Sequence, residues 1–169
     1  EVLSSLALLP QETPPLAWDT VSLQEIIRHV LSVYHAPLPE ELRQLVLLVG
    51  EVVAAHGKRD PVRLSKLQTT IRQLADELNL HMRKEEEILF PWIESGRLSA
   101  PEQPIAMMEM EHVAAGELLE QLRILTEDYS PPDGACTKWR TLYARLENLD
   151  RDLRTHIHIE NDILFPRTL

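Results

Sequence analysis

The chain has 169 residues, of which 44% are hydrophobic, enough to bury the core of one sizeable domain. A net charge of -10 argues against a nucleic-acid or anionic-membrane surface, since both need clustered Lys and Arg. The single cysteine, Cys136, excludes an internal disulfide framework and a multi-thiolate zinc site, and no apolar run approaches the ~20 residues of a membrane span. A cytoplasmic location is expected. The segment "EVLSSLALLP" has no basic start and does not read as a signal peptide.

Residues 1–19, with "PQETPPLAWD", read as an extended lead-in, and residues 20–169 as one helical domain. Ser22 with Glu25 predicts a capping box opening a short helix to about Tyr34, broken by "HAPLP" at 35–39. A second helix is expected from Pro39 to His56, ended by Gly57. A third should run from Pro61 to Phe90 and stop at Pro91. A fourth starts near Pro104 and ends before "SPPDG", and a fifth spans Ala135 to Phe165.

The four long segments share a seam spaced by threes and fours. It holds Leu42, Leu45, Val49, Val52 and His56, then Leu67, Ile71, Leu74, Leu78, His81, Glu85 and Ile88. It continues through Ile105, Met108, His112, Ala115, Leu119 and Leu122, and finally Leu142, Leu146, Leu149, Leu153, His156, Glu160 and Ile163. Short connections between long helices predict an all-α, antiparallel up-down-up-down four-helix bundle.

Each seam carries a histidine at an inward position, and two carry a glutamate one turn later. Burying a lone carboxylate costs several kcal/mol, so these groups need a partner, and a metal both neutralises charge and takes imidazole lone pairs. His81 with Glu85 and His156 with Glu160 are spaced to present a nitrogen and an oxygen from one helix face. Imidazole with carboxylate suits Fe, Mn or Zn over Ca or Mg. The histidines outnumber what one ion takes beside two carboxylates, so the pattern reads as dinuclear, with di-iron favoured. A ferritin-like site needs Glu-x-x-His on two helices, and Glu109–His112 alone has that spacing. His29 reads as structural or exposed, and His158, Glu86 and Glu87 as solvated.

At these residues the chain resembles the hemerythrin-like domain of the repair-of-iron-centres proteins, bacterial di-iron proteins linked to mending iron–sulfur clusters after nitrosative or oxidative stress. The segments that carry the resemblance are "VYHAPLPEELRQLVLLVGEVVAAHG", "HMRKEEEILFPWI", "MEMEHVAAGELLE", "PPDGACTKW" and "HIHIENDILFPR", in order over residues 20–168. The resemblance implies iron ligands at His35, His56, His81, His112 and His156, and bridging carboxylates at Glu85 and Glu160. His35 comes from the resemblance alone. Glu77 and Glu111 match further acidic positions near the family's centre and are expected to flank a substrate or iron channel.

Two departures separate the chain from oxygen-carrying hemerythrins. Those have His-x-x-x-His on the helix matching 112–116, where Gly116 stands here, and an Asp five residues after the last histidine rather than Glu160 at four. The resemblance also implies a small N-terminal domain with a cysteine pair, of which residues 1–19 read as a remnant. The expected function is repair of damaged iron–sulfur proteins by a pair of iron ions, oxo- and carboxylate-bridged. It would act by iron donation or by nitric oxide binding and reduction, the latter making it an enzyme, with an unidentified electron donor. The rivals are an oxygen or nitric oxide carrier or sensor, and a structural zinc bundle.

Overall fold

The computed structural model describes residues 18–96 and 102–169. Most of the predicted lead-in, and the 97–101 connection, lie outside the described residues. Among those residues the chain is all-helical, without strands. A short helix α1 (Leu23–His29) leads into a wide π turn, π1 (Val30–His35). Then come α2 (Leu38–His56), α3 (Pro61–Lys84), a second wide turn π2 (Glu85–Leu89) and α4 (Phe90–Glu94). Helices α5 (Glu102–Leu125) and α6 (Thr137–His158) follow, and a third wide turn, π3 (Ile159–Leu164), ends the helical part. The four long helices close a ring: α2 packs on α3, α3 on α5, α5 on α6, and α6 back on α2.

Local chemistry sets the helix starts. The Ser22 N–H donates to the Glu25 carboxylate at 2.9 Å and the Glu25 N–H to Ser22 Oγ at 3.2 Å, the predicted reciprocal cap. Asp60 accepts the Arg63 N–H at 3.2 Å ahead of Pro61, whose fixed φ suits a first helical residue. Helix α5 stops where Glu127, Asp128 and Tyr129 take left-handed φ values of 52°, 57° and 59°. The Tyr129 N–H is then satisfied by Thr126 Oγ1 at 3.0 Å.

The predicted leucine seam is buried along all four helices, each large aliphatic side chain contributing about 1.5–3 kcal/mol. The apolar interior forms two clusters. One runs from Leu42 to Leu78 and from Ala115 to Leu153; the other gathers Ile26, Val30, Leu89, Phe90, Met108, Ile159, Leu164 and Phe165. Buried His35, Glu85, His112 and His156 lie between them in sequence, as in Leu153–His156–Ile159.

The wide turns correct two expectations. Ile88 and Ile163 were expected in the core, yet Ile88 is 56% exposed and Ile163 half-buried, while Leu89, Phe90, Leu164 and Phe165 are buried. The cause is the i→i+5 bonding, seen as Phe90 N–H to Glu85 O and Phe165 N–H to Glu160 O. A wider turn returns to the core one residue later than an α-helix does. Nor does Pro91 end the third helix. It falls at the start of α4, which continues to Glu94, at a position where a missing N–H costs little.

Candidate metal centre

Four imidazoles and two carboxylates converge between the apolar clusters: His35 from π1, His81 from α3, His112 from α5, His156 from α6, Glu85 from π2 and Glu160 from π3. All six are buried, and both glutamates are 0% exposed. The donor atoms form two groups within which every atom lies within 4.8 Å of the others: His35, Glu85, His156 and Glu160, and His81, Glu85, His112 and Glu160.

Each glutamate turns one oxygen to each group. Glu85 Oε2 lies 3.3 Å from His35 Nε2, and its Oε1 3.3 Å from His81 Nε2. Glu160 Oε1 lies 3.0 Å from His156 Nε2, and its Oε2 3.1 Å from His112 Nε2. His81 Nε2 and His112 Nε2 are 3.0 Å apart. Donors adjacent on one ion, at about 2.1 Å from it, sit about 3 Å from each other, so these separations suit shared cations. Both oxygens of Glu85, one of Glu160, and His35 Nε2 have no hydrogen-bond partner among the described residues. A dry core does not leave such atoms orphaned without cause.

The outward ring nitrogens fix which atoms face inward. His35 Nδ1–H donates to Glu86 at 2.8 Å, His81 Nδ1–H to Glu111 at 2.9 Å, and His112 Nδ1–H to Asn161 Oδ1 at 2.7 Å. With the proton held on Nδ1, the Nε2 lone pair is free for a cation. Lys84 Nζ in turn pairs with Glu111. Phe90 packs on His35 with centroids 5.7 Å apart, Phe165 stacks on His112 at 6.0 Å, and Tyr34 stacks on His156 at 5.0 Å.

The electrostatics describe a cluster awaiting positive charge. Burial pushes the Glu160 carboxyl up, but His156 and His112 outweigh it and hold it below the usual carboxylate range. Burial pulls the His81 imidazole down, yet hydrogen bonds and charge from Glu85, Glu111 and Glu160 raise it to about 9. His35 also rises, burial being outweighed by Glu85, Glu160 and Glu86.

Six of the seven expected ligands are therefore brought together, including His35. His56 is not. It lies at the C-terminal end of α2, with its ring 5.0 Å from that of Trp139. Trp139 stands near the N-terminus of α6, about 25 Å from His156 at 1.5 Å rise per residue. The seam placed His56 on the right face but at the wrong depth. Glu111 touches His81, whereas Glu77 is exposed, accepts from Gln73, and lines with Glu111, His81 and His112 a cavity of about 290 Å3. Glu87 and His158 are exposed as expected, and His29 packs between Trp18 and Tyr34.

Glu86 and Asn161 went unrecognised in the sequence, although the signal was there. Each directly follows a candidate bridging glutamate in the two echoing segments, and each holds the histidine of a different helix.

The hemerythrin HHE cation binding domain family matches residues 27–168, most of the chain. The chain is also 40% identical over 167 residues to an iron-sulfur cluster repair protein, YtfE, of Yersinia pseudotuberculosis, covering 99% of this chain and 74% of that protein. The chain belongs to the hemerythrin-like family of iron–sulfur cluster repair proteins. The YtfE repair protein of Edwardsiella ictaluri is 44% identical over 154 residues, 90% of this chain and 68% of the relative. That of Yersinia pestis is 40% identical over 167 residues. In this hemerythrin-like protein an added Cβ at Gly116 would meet no atom within 4 Å. Crowding therefore does not explain the glycine where oxygen carriers have a histidine. Among the described residues no helix is long and apolar enough to cross a membrane.

Proposed function

We propose that the chain is a non-haem di-iron protein that serves the repair of damaged iron–sulfur clusters in the cytoplasm. His35 and His156 would hold one ion and His81 and His112 the other, with Glu85 and Glu160 each offering an oxygen to both. The observation that carries this reading is the paired donor set, in which each of two buried carboxylates offers one oxygen to each pair of imidazoles. The relatives named above are iron–sulfur cluster repair proteins, which supports the same role here.

Residues 20–169 form the di-iron domain in this reading, an antiparallel up-down-up-down bundle, and residues 1–19 lead into it. Histidine-rich ligation with two carboxylates suits iron over calcium or magnesium. An iron pair, when bound, supplies one-electron chemistry and open positions for an oxo bridge or a small diatomic. The protein's own part is to turn the Nε2 atoms of His35, His81 and His112 inward through partners on Nδ1, to cancel part of the cation charge with two carboxylates, and to exclude bulk water. Phe90, Phe165 and Tyr34 do the last, packed on three of the four rings. Glu111 and Glu77, lining the cavity beside His81, are placed to receive a departing cation or a proton.

Damaged iron–sulfur proteins are the clients in this reading, and nitric oxide and oxygen are the small molecules that reach the centre. Anaerobic reaction of the reduced, iron-loaded protein with nitric oxide tests it. Iron transfer to a client, or nitrous oxide formation, supports repair by donation or by reduction. A stable adduct that neither turns over nor releases iron points to a carrier or sensor. One zinc per chain as purified, with no visible absorption, would overturn the di-iron assignment.

A further inference from the structure

The centre is built from two matching halves. In one, His81 and Glu85 are followed by Glu86, which holds His35, and by Phe90, which packs on His35. In the other, His156 and Glu160 are followed by Asn161, which holds His112, and by Phe165, which packs on His112. The halves repeat further: the residue before His112 is Glu111, and it accepts the Nδ1–H of His81 at 2.9 Å. The residue before His35 is Tyr34, and it meets His156 by stacking, with rings 6° from parallel.

Here the symmetry breaks. His81 has a carboxylate on its outer nitrogen, itself tied down by Lys84. His156 has none; its Nδ1 meets no protein hydrogen-bond partner among the described residues, and its Nε2 pairs with Glu160. So the His81/His112 position has both imidazoles braced, and the His35/His156 position has one of two. His156 also borders both cavities beside the centre, the one of about 290 Å3 and a larger one of about 620 Å3 shared with Tyr34 and Asp152. His81 and His112 border the smaller one alone among these two.

We propose that the two metal positions are inequivalent, and that the ion held by His35 and His156 is the exchangeable one because Tyr34 stands where the other half has Glu111. The inference rests on the two-ion reading above and adds which ion leaves. Partners on the outer nitrogen orient an imidazole and raise its basicity, and removing one typically weakens metal binding 10–100-fold. An unbraced His156 gives its ion a correspondingly faster escape.

The test is anaerobic release of Fe(II) from the fully loaded protein into excess ferrozine, followed by stopped-flow absorbance. Two phases of equal amplitude are expected, separated by at least tenfold in rate. Asn161→Ala and Glu111→Ala each remove a brace from the slow position and should speed the slow phase alone by about 10–100-fold. Asn161→Asp keeps the acceptor and should restore it. Glu86→Ala should speed the fast phase alone. Thermal unfolding of each metal-free variant checks that the fold survives. Two ions lost in a single phase, or Glu111→Ala acting on the fast phase, would overturn the inference while leaving the two-ion reading intact. Saturation at one ion per chain would instead overturn that reading itself.

Discussion

Replacing Glu85 by leucine should destabilise the metal-free protein, and the metal-loaded protein by more. Glu85 is 0% exposed, and neither of its oxygens has a hydrogen-bond partner among the described residues. Its carboxylate faces the imidazoles of His35 and His81 at 3.3 Å and helps to raise both, His81 to about 9. At pH 7.5 the metal-free protein therefore holds a buried ion pair, and removing one partner of such a pair costs about 3–5 kcal/mol, because the other charge is left uncompensated. At about 2–4 °C per kcal/mol for a chain of this size, a 3 kcal/mol loss lowers the metal-free midpoint by about 6–12 °C. Loading widens the gap. Each ion present at a thousand times its dissociation constant adds about 4 kcal/mol to the wild type, and Glu85→Leu loses a donor to both. Thermal unfolding at pH 7.5, with chelator and then with Fe(II) under nitrogen, reads both gaps. A metal-free Glu85→Leu variant that melts at or above the wild type would show that Glu85 is not paired with protonated imidazoles.

The remaining expectations concern depth, register and protons. His56→Gln should retain the wild-type metal content, while His35→Gln should lose at least one ion per chain, read by elemental analysis after reconstitution. Leu89→Ala and Leu164→Ala should each cost about 2–5 kcal/mol, whereas Ile88→Ser stays within about 0.5 kcal/mol, measured by denaturant unfolding. The raised His81 pKa, about 9 against 6.5 unfolded, stabilises the metal-free protein below pH 6.5. That contribution, about 3 kcal/mol, is lost as pH rises through 9. Cation binding needs the same nitrogen unprotonated, so apparent metal affinity should rise over that window, read by competition titration.

Most of the fold was legible because its signals are local. The apolar seam spaced by threes and fours named the aliphatic spine from Leu42 to Leu153, though not Leu64, Met82, Leu118 or Tyr143, and the Ser22–Glu25 pair marked the first helix start. The seam also located five of the six converging donors, since a buried histidine or glutamate on an otherwise leucine-lined face breaks pattern visibly. It failed on His56 because periodicity reports the face of a helix, not the level at which that face meets its neighbours. It failed on Ile88 and Ile163 because a single widened turn shifts the phase of everything after it, and no composition signal marks that turn. His35 lies in such a turn and so off the seam. Glu86 looked like solvated charge because its partner, His35, is distant in sequence. The echo of "EEEILFP" in "ENDILFP" now reads as repeated geometry: bridge, brace, and a phenylalanine closing on a neighbour's imidazole.

In the di-iron reading, Glu85 and Glu160 each span two metal positions. Anomalous X-ray diffraction at the iron absorption edge, on crystals of the iron-loaded protein, tests it most directly. Two peaks of equal height are expected about 3.5–4 Å apart, one between His35 and His156 and one between His81 and His112. A single peak, or one at His56, would contradict it.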